Sequence, residues 1–366
     1  MNKIRNNNST ASIKNFRGKN GHNTAPVRNP ENRTGDTSRS ERKVKELESF
    51  AFLGSRAGFV HALAAKAAPE RWDFPNEPKD LYILRRYINI TFKRLQDENK
   101  ICISSDDRLA AFNTGLVDEY FNDIYACFER NTNPDGLKWK FADFCVAGKG
   151  IGKKLVECFS PLPEPARYIK SGEDTVYDVS KPLFLNYDHI IIDNIDRLPL
   201  PFLEQISGSC STEALELTAK IRACESGSGR ESLYGLLREA VRNNTKLYMS
   251  IKNGLDNAIE LSKKRIRMNF RNAVPCYSPK DNKMSIMLPL FIMDNGKPDL
   301  ALVVRKTDSG SFQGYTAFTL KQAYVNARLI FSGIEGWLSM EKVFSNSSAK
   351  AFRQPARTVV GAELSA

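Results

Sequence analysis

The chain has 366 residues, 41% of them hydrophobic and 10% aromatic, enough to build a sizeable core and to exclude a wholly disordered protein. Its formal net charge is +12, but residues 1–45 hold 11 Lys/Arg against 3 Asp/Glu, so 8 of the excess charges lie there and only 4 in the remainder. Seven cysteines, an odd number without a C-x-x-C pair, argue against a disulfide scaffold or a zinc ribbon. Only His22, His61 and His189 offer imidazole, so no metal site is expected. No apolar run is long enough to span a bilayer and no secretory pattern is present, which together give the expectation of a cytoplasmic protein without a membrane partner.

In chain order, residues 1–45 are rich in Asn, Ser, Thr, Gly and Arg and have almost no apolar period. They read as a disordered basic tail, because such a composition cannot offset chain entropy. A mitochondrial transit peptide is the alternative, since no acid precedes Glu31, but the amphipathic helix such peptides use is missing. Residues 46–345 read as a single domain and 346–366 as a loose C-terminal tail. A helix is expected over 50–68, ended by Pro69, with Trp72-Asp73-Phe74-Pro75 extended after it. Asp80 is expected to cap a helix carrying Leu81, Leu84, Tyr87, Ile88, Phe92 and Leu95 on one side. Strands are expected over 101–103 and 109–112, with a turn at Asn113-Thr114-Gly115; residues 118–130 read as strand, with a helix as the alternative, and 136–152 as a loop-rich hairpin.

Residues 187–199 have an apolar centre and a polar end and read as a capped strand end. Helices are expected over 213–224 and 230–268, the second read as one helix or two because Gly254 weakens it. The most telling stretch is 284–330. Apolar and β-branched runs at 285–293, 300–304 and 314–319 are separated by Asp294-Asn295-Gly296 and Asp308-Ser309-Gly310, the signature of an antiparallel meander. Thr319 then caps a helix over 320–330. The predicted fold class is α+β: helices packed on a largely antiparallel sheet, with a C-terminal strand meander followed by a helix.

Five constellations bear on chemistry. Gly148-Lys149-Gly150-Ile151-Gly152-Lys153-Lys154 imitates a phosphate loop, yet Ala147 stands where the first glycine belongs and Lys154 where the hydroxyl belongs, so it reads as a flexible basic hairpin. Asn113 either faces a ligand or forms an Asx turn with Gly115 at positive φ. His189 and Asp193 are candidate acid/base residues, although strand alternation would separate neighbours and an Asp196–Arg197 surface pair is the plainer account. Asn326 and Arg328 lie among apolar residues, and an arginine buried without a partner costs on the order of several kcal/mol. Arg328 must therefore meet solvent, a carboxylate, backbone carbonyls or an anionic ligand. Lys263, Lys264, Arg265, Arg267 and Arg271, with Phe270 and Tyr277 nearby, suit single-stranded nucleic acid; a solvated helix face is the alternative.

Several segments carry a family resemblance by their order: Pro69-Glu70-Arg71-Trp72, Thr91-Phe92-Lys93-Arg94-Leu95, Phe112-Asn113-Thr114-Gly115-Leu116, and His189-Ile190 with Asp193-Asn194-Ile195-Asp196-Arg197-Leu198-Pro199. They continue through Asn272-Ala273-Val274-Pro275-Cys276-Tyr277, Leu288-Pro289-Leu290, Asp299-Leu300-Ala301-Leu302-Val303-Val304 and Ala323-Tyr324-Val325-Asn326-Ala327-Arg328-Leu329-Ile330. Together they resemble DUF3825, a mostly bacterial domain of unknown function, over nearly the whole body. The resemblance implies one family domain and an association with RNA-binding partner modules. No matched motif defines a catalytic set, so no catalytic residue and no cofactor carries over. The expected function is an RNA- or nucleotide-associated binding domain with a ligand-sized groove near Asn113, Arg197, Asn326 and Arg328. The alternatives are an enzyme acting on a phosphorylated or nucleotide substrate, in defence or RNA repair, and a structural scaffold without a ligand.

Overall fold

A computed structural model of the chain describes residues 46–343 apart from 76–78, 134 and 226; the two tail expectations, 1–45 and 346–366, fall outside the described residues. The first described elements are helix α1 (Glu46–Phe50), a two-residue strand β1 (Ala51–Phe52) and helix α2 (Arg56–Lys66). The single helix expected over 50–68 is thus interrupted. Ser55 is the cause: in extended conformation, its side chain accepts the N–H of Gly58 and starts α2 afresh. Helix α3 (Tyr82–Asp97) buries Leu84, Tyr87, Ile88, Phe92 and Leu95, as its spacing requires. Its cap differs from expectation. Leu81 holds the N-cap position without a side-chain bond, Asp73 accepts the N–H of Tyr82 at 3.2 Å, and Asp80 pairs with Arg85 at 2.9 Å.

The first sheet has strands β2 (Cys102–Ile103), β3 (Leu109–Val117), β4 (Asp123–Arg130) and β5 (Trp139–Cys145), in the order β1-β5-β4-β3-β2. Only β1 runs parallel to its neighbour. The expected turn at Asn113-Thr114-Gly115 is a bulge inside β3, where the pairing shifts between Asn113 and Val117. Gly115 has φ +72° and donates its N–H to Asn113 Oδ1 at 2.8 Å, so the Asx geometry is present but the chain does not reverse there. The reversal comes at residues 118–122, where Asp118 collects the N–H groups of Tyr120 and Asn122. The region expected to be loop-rich contains β5, after which a short turn leads into helix α4 (Gly152–Cys158).

The second sheet holds β6 (Leu183–Leu185), β7 (Val274–Ser278), β8 (Lys283–Leu290), β9 (Leu300–Lys306) and β10 (Phe312–Thr319), in the order β6-β10-β9-β8-β7. The predicted meander is β8, β9 and β10, antiparallel throughout. Strand β8 stops at Leu290, earlier than its apolar run suggests, because Asp299 takes the N–H groups of Ile292 and Met293 at 2.8 and 2.9 Å. Pro289 is tolerated in an inner strand for a local reason. Leu290 turns its carbonyl to Asp299, so Pro289 faces the opposite side, beyond the last β7 partner at Met287.

Two short helical turns precede the helices of this half: a π-helical turn (His189–Asp193) and a 3-10 turn (Ile195–Arg197). The expected strand end is therefore helical. Helix α5 (Leu200–Cys210), which no local pattern in the sequence predicts, is followed by α6 (Thr212–Ala223), α7 (Ser228–Asn243) and α8 (Thr245–Met268). The 230–268 segment does divide, but at Asn244 and not at Gly254: the Asn244 side chain caps α8 by accepting the N–H of Leu247 at 3.0 Å. Gly254 continues α8 and packs beside Phe202. Helix α9 (Leu320–Ala327) closes the body; Thr319 and Gln322 form a reciprocal capping box at its start. Thr319→Ala should cost about 1 kcal/mol and lower the thermal midpoint by about 2–4 °C, while a midpoint at the wild-type value would remove the cap from the account.

Side-chain alternation assigns the strands to three cores. Ala110 and Phe112 of β3 and Ala301 and Val303 of β9 face a central core that also contains the buried faces of α2, α3 and α9. Leu300, Leu302 and Val304 face a second core against α5–α8 and the His189–Asp193 turn. Leu109, Ala111, Tyr125, Cys127 and Cys145 face a third, smaller core under α4. The result is a layered α+β fold in which both sheets are covered on both faces. That is why β8 and β9 read as continuous apolar runs instead of alternating ones.

Candidate functional site

Helix α8 turns Leu247, Ile251, Leu255, Ala258, Ile259, Ser262 and Ile266 into the second core. That spacing leaves Lys264, Arg267 and Met268 on the outer side of its last turns. The helix stops at Asn269, whose extended backbone and side chain, accepting the Arg271 N–H at 3.1 Å, start a 3-10 turn (Phe270–Asn272). Arg271 is exposed there as well. Met268 is 88% exposed and Phe270 65%, beside these three cations. Among the described residues, the side chains of Lys264, Arg267 and Arg271 make no hydrogen bond or ion pair. The other two cations of the cluster are engaged: Lys263 pairs with Glu260 at 2.8 Å, and Arg265 lies 4.0 Å over the Phe291 ring and donates to the Asn295 carbonyl. Tyr277 does not join this surface. It is buried, packs on Tyr168 and donates to Asn282 Oδ1 at 2.9 Å.

Arg328, at the end of α9, is buried and meets a carboxylate. Its Nε and Nη2 donate to the two carboxylate oxygens of Glu70, the Nη2 bond being 2.6 Å. The guanidinium lies 4.6 Å from the Trp72 ring and 5.0 Å from that of Tyr87. Burial raises the Tyr87 hydroxyl above the ordinary phenol value, and Arg328 opposes it only in part. Tyr87 in turn donates to the Thr114 carbonyl at 3.1 Å, so Arg328 reaches the Asn113 bulge through one intervening ring. Asn113 itself is spent locally: Oδ1 accepts from Gly115 and Nδ2 donates to Asp123 at 3.2 Å. Asn326 donates to the Gln322 carbonyl one turn back, at 2.8 Å.

Arg197 belongs to the second core's side, donating to Thr316 Oγ1 at 2.9 Å and to the Ala317 carbonyl at 3.0 Å on β10. The structure thus brings Arg328 and the Asn113 bulge together and leaves Arg197 on a different element. The helical turn at 189–193 puts His189 and Asp193 one turn apart, Nδ1 to Oδ2 at 3.0 Å, which strand geometry would not allow. Asn194 Nδ2 lies 3.2 Å from the other ring nitrogen and donates to the His189 carbonyl at 2.7 Å. Both imidazole nitrogens are therefore in hydrogen bonds within the turn itself.

A cleft of about 500 Å³ opens between the end of α2, the β3–β4 reversal and the turn before α4; Lys66, Asp118, Asp143, Cys145 and Lys149 line it. Asn113, Arg197, Asn326 and Arg328 do not line it. Sequence reasoning missed Glu70 as the partner of Arg328, the exposure of Met268 and the cleft. The signal for Glu70 was its position in Pro69-Glu70-Arg71-Trp72, an acid two residues before a tryptophan; the cleft had none, because its walls come from four separate segments. Among the described residues no group of three or more His, Cys, Asp or Glu is placed to hold a metal ion, and no helix is long and apolar enough to cross a membrane.

The architecture defines a class: a layered α+β domain with two mixed, largely antiparallel sheets. The chain belongs to the family described as Domain of unknown function (DUF3825), whose model matches residues 63–337. That span includes Glu70, Arg328, the end of α8 and the cleft cysteine. No curated protein and no solved structure matches the chain.

Proposed function

We propose that the body binds single-stranded nucleic acid, RNA foremost, at the end of α8. The observation that supports this most is the pair of exposed apolar side chains, Met268 and Phe270, beside three cations that have no carboxylate partner among the described residues. An exposed ring stacks on any base, and cations at this spacing follow a phosphate backbone. Cations also sit favourably at a helix C-terminus, which accounts for the charges but not for the exposed ring. The patch is open, which favours a polymer over a free nucleotide held in an enclosed pocket. The enzyme alternative has less support, because His189, its candidate base, already spends both ring nitrogens.

Titrating a labelled single-stranded RNA across a salt series tests the proposal. The triple variant K264Q/R267Q/R271Q should flatten the dependence of log K on log salt by about 2, at roughly 0.7 per lost phosphate contact. Phe270→Ala should weaken binding about 5- to 150-fold with the slope unchanged, since stacking contributes about 1–3 kcal/mol per base. Deleting residues 1–45 should lower affinity for all sequences alike, given their 8 excess positive charges. Folded patch variants that bind like the wild type, with all affinity lost on deleting the tail, would move the function to the tail.

A further inference from the structure

Cys127 and Cys145 lie on neighbouring strands, β4 and β5, with their sulfurs 3.4 Å apart. They are not direct partners: Cys127 faces Asp143 and Cys145 faces Tyr125, so the two thiols are diagonal neighbours on the α4 side of the sheet. The pairing slips immediately after Cys127, where Phe128 faces Phe141 and Ala142 is passed over. A bulge of this kind increases local twist and re-aims side chains, which accounts for the close diagonal. Cys145 also forms part of the cleft wall, so a small molecule in the cleft reaches the strand that carries it. Lys66 is anchored there: its ammonium donates to the carbonyl of Phe144 and lies 3.5 Å from Asp143. The two thiols share a hydrogen bond in which either sulfur can donate; a Cys127 thiol donating to a Cys145 thiolate favours the charge on Cys145. That bond, with the charge of Lys66, holds the Cys145 thiol below its ordinary value in spite of burial. The same bond, together with burial, pushes the Cys127 thiol up. Of the other cysteines, Cys276 is buried without a second sulfur and Cys158 is exposed without one.

We propose that Cys127 and Cys145 form a peroxide-responsive dithiol, Cys145 attacking and Cys127 resolving. The Cys145 thiolate attacks one oxygen of hydrogen peroxide; an S–O bond forms, the O–O bond breaks, and the departing oxygen leaves as water with the proton the thiol released. Cys127 sulfur then attacks the sulfenic sulfur; the S–S bond forms, the S–O bond breaks, and hydroxide leaves as water with the Cys127 proton. Two thiols are oxidised, the peroxide is reduced by two electrons, and the products are one disulfide and two waters. A bridge between diagonal positions is strained, so reductant should reverse it readily.

The test is to expose the full-length chain to limiting hydrogen peroxide, block free thiols with iodoacetamide and map the peptides by mass spectrometry. The expected result is a cross-link joining the Cys127 and Cys145 peptides, lost on adding dithiothreitol and formed at a dose that leaves Cys276 a free thiol. In Cys127→Ser the reaction should stop at a sulfenic acid on Cys145, trapped by a cyclic diketone. In Cys145→Ser, Cys127 should remain a thiol at the same dose. If either variant fails to fold, the order of thiol loss in the wild type decides: Cys145 must go no later than Cys158. Oxidation confined to Cys158 and the other partly exposed cysteines, with Cys127 and Cys145 both still alkylatable after unfolding, overturns the proposal.

Discussion

Replacing Arg328 with methionine should lower the thermal midpoint by roughly 6–12 °C. The substitution keeps most of the side-chain length, so the loss is one of charge and hydrogen bonding. The guanidinium side chain is 5% exposed and its Glu70 partner 21%, which makes the pair a buried one on the arginine side and only partly screened on the other. Breaking a buried pair by removing one member costs about 3–5 kcal/mol, and the access of water to Glu70 argues for the lower end. At about 2–4 °C per kcal/mol this gives the stated fall. The contacts over Trp72 and Tyr87 are lost as well. Adding Glu70→Gln should recover part of the stability, because the carboxylate is then no longer left without its partner. Arg328→Lys should recover little, since an ammonium cannot repeat the two-oxygen fork. A melting curve for Arg328→Met that overlays the wild type would show the pair to be dispensable and would return Arg328 to the ligand account.

Gly152→Ala should be the most damaging small substitution in the chain's glycine-rich turn. A Cβ on Gly152 would stand 2.0 Å from the carbonyl oxygen of Val146 and 3.0 Å from its carbon. The obstacle is backbone, and it is held in place: Lys149 donates to that same carbonyl, Gly148 donates to the Gly152 carbonyl and Gly152 to that of Lys149. Such a clash moves the turn instead of a side chain, at a cost of about 3 kcal/mol. The midpoint should fall by roughly 6–12 °C, measured by circular dichroism, and the cleft bordered by Lys149, Gly150 and Ile151 should change shape with it. An alanine variant as stable as the wild type would mean that the turn has room the packing does not suggest. The glycine here lets the backbone at Val146, just past the end of β5, lie closely against the start of α4; phosphate binding is not needed to explain it.

Much of the fold is legible in local pattern. Apolar runs divided by Asp-Asn-Gly and Asp-Ser-Gly turns specify the β8–β10 meander, and Thr319 with Gln322 specifies the start of α9, because turn chemistry and capping act within a few residues. The face of α3 follows from its 3.6-residue period. Errors cluster where local signals compete. Asn113-Thr114-Gly115 carries turn chemistry, yet β4 continues the ladder past it and turns the Asx geometry into a bulge. Residues 189–193 carry strand composition, yet packing beneath α7 and α8 coils them into a π-helical turn.

The sequence by itself determined the α+β class, the basic cluster at the end of α8 and the need of Arg328 for a partner, since each depends on composition, period or the cost of burying one charge. Only the tertiary structure decided which partner that was. Glu70 and Arg328 are 258 residues apart, and no local rule links them. The same holds for the diagonal of Cys127 and Cys145, which the register of β4 on β5 sets by pairing Tyr125 with Cys145 and Cys127 with Asp143. Register and long-range contact come from the whole set of packed layers, because the energy that selects one register is the burial of every side chain on both faces of the sheet together.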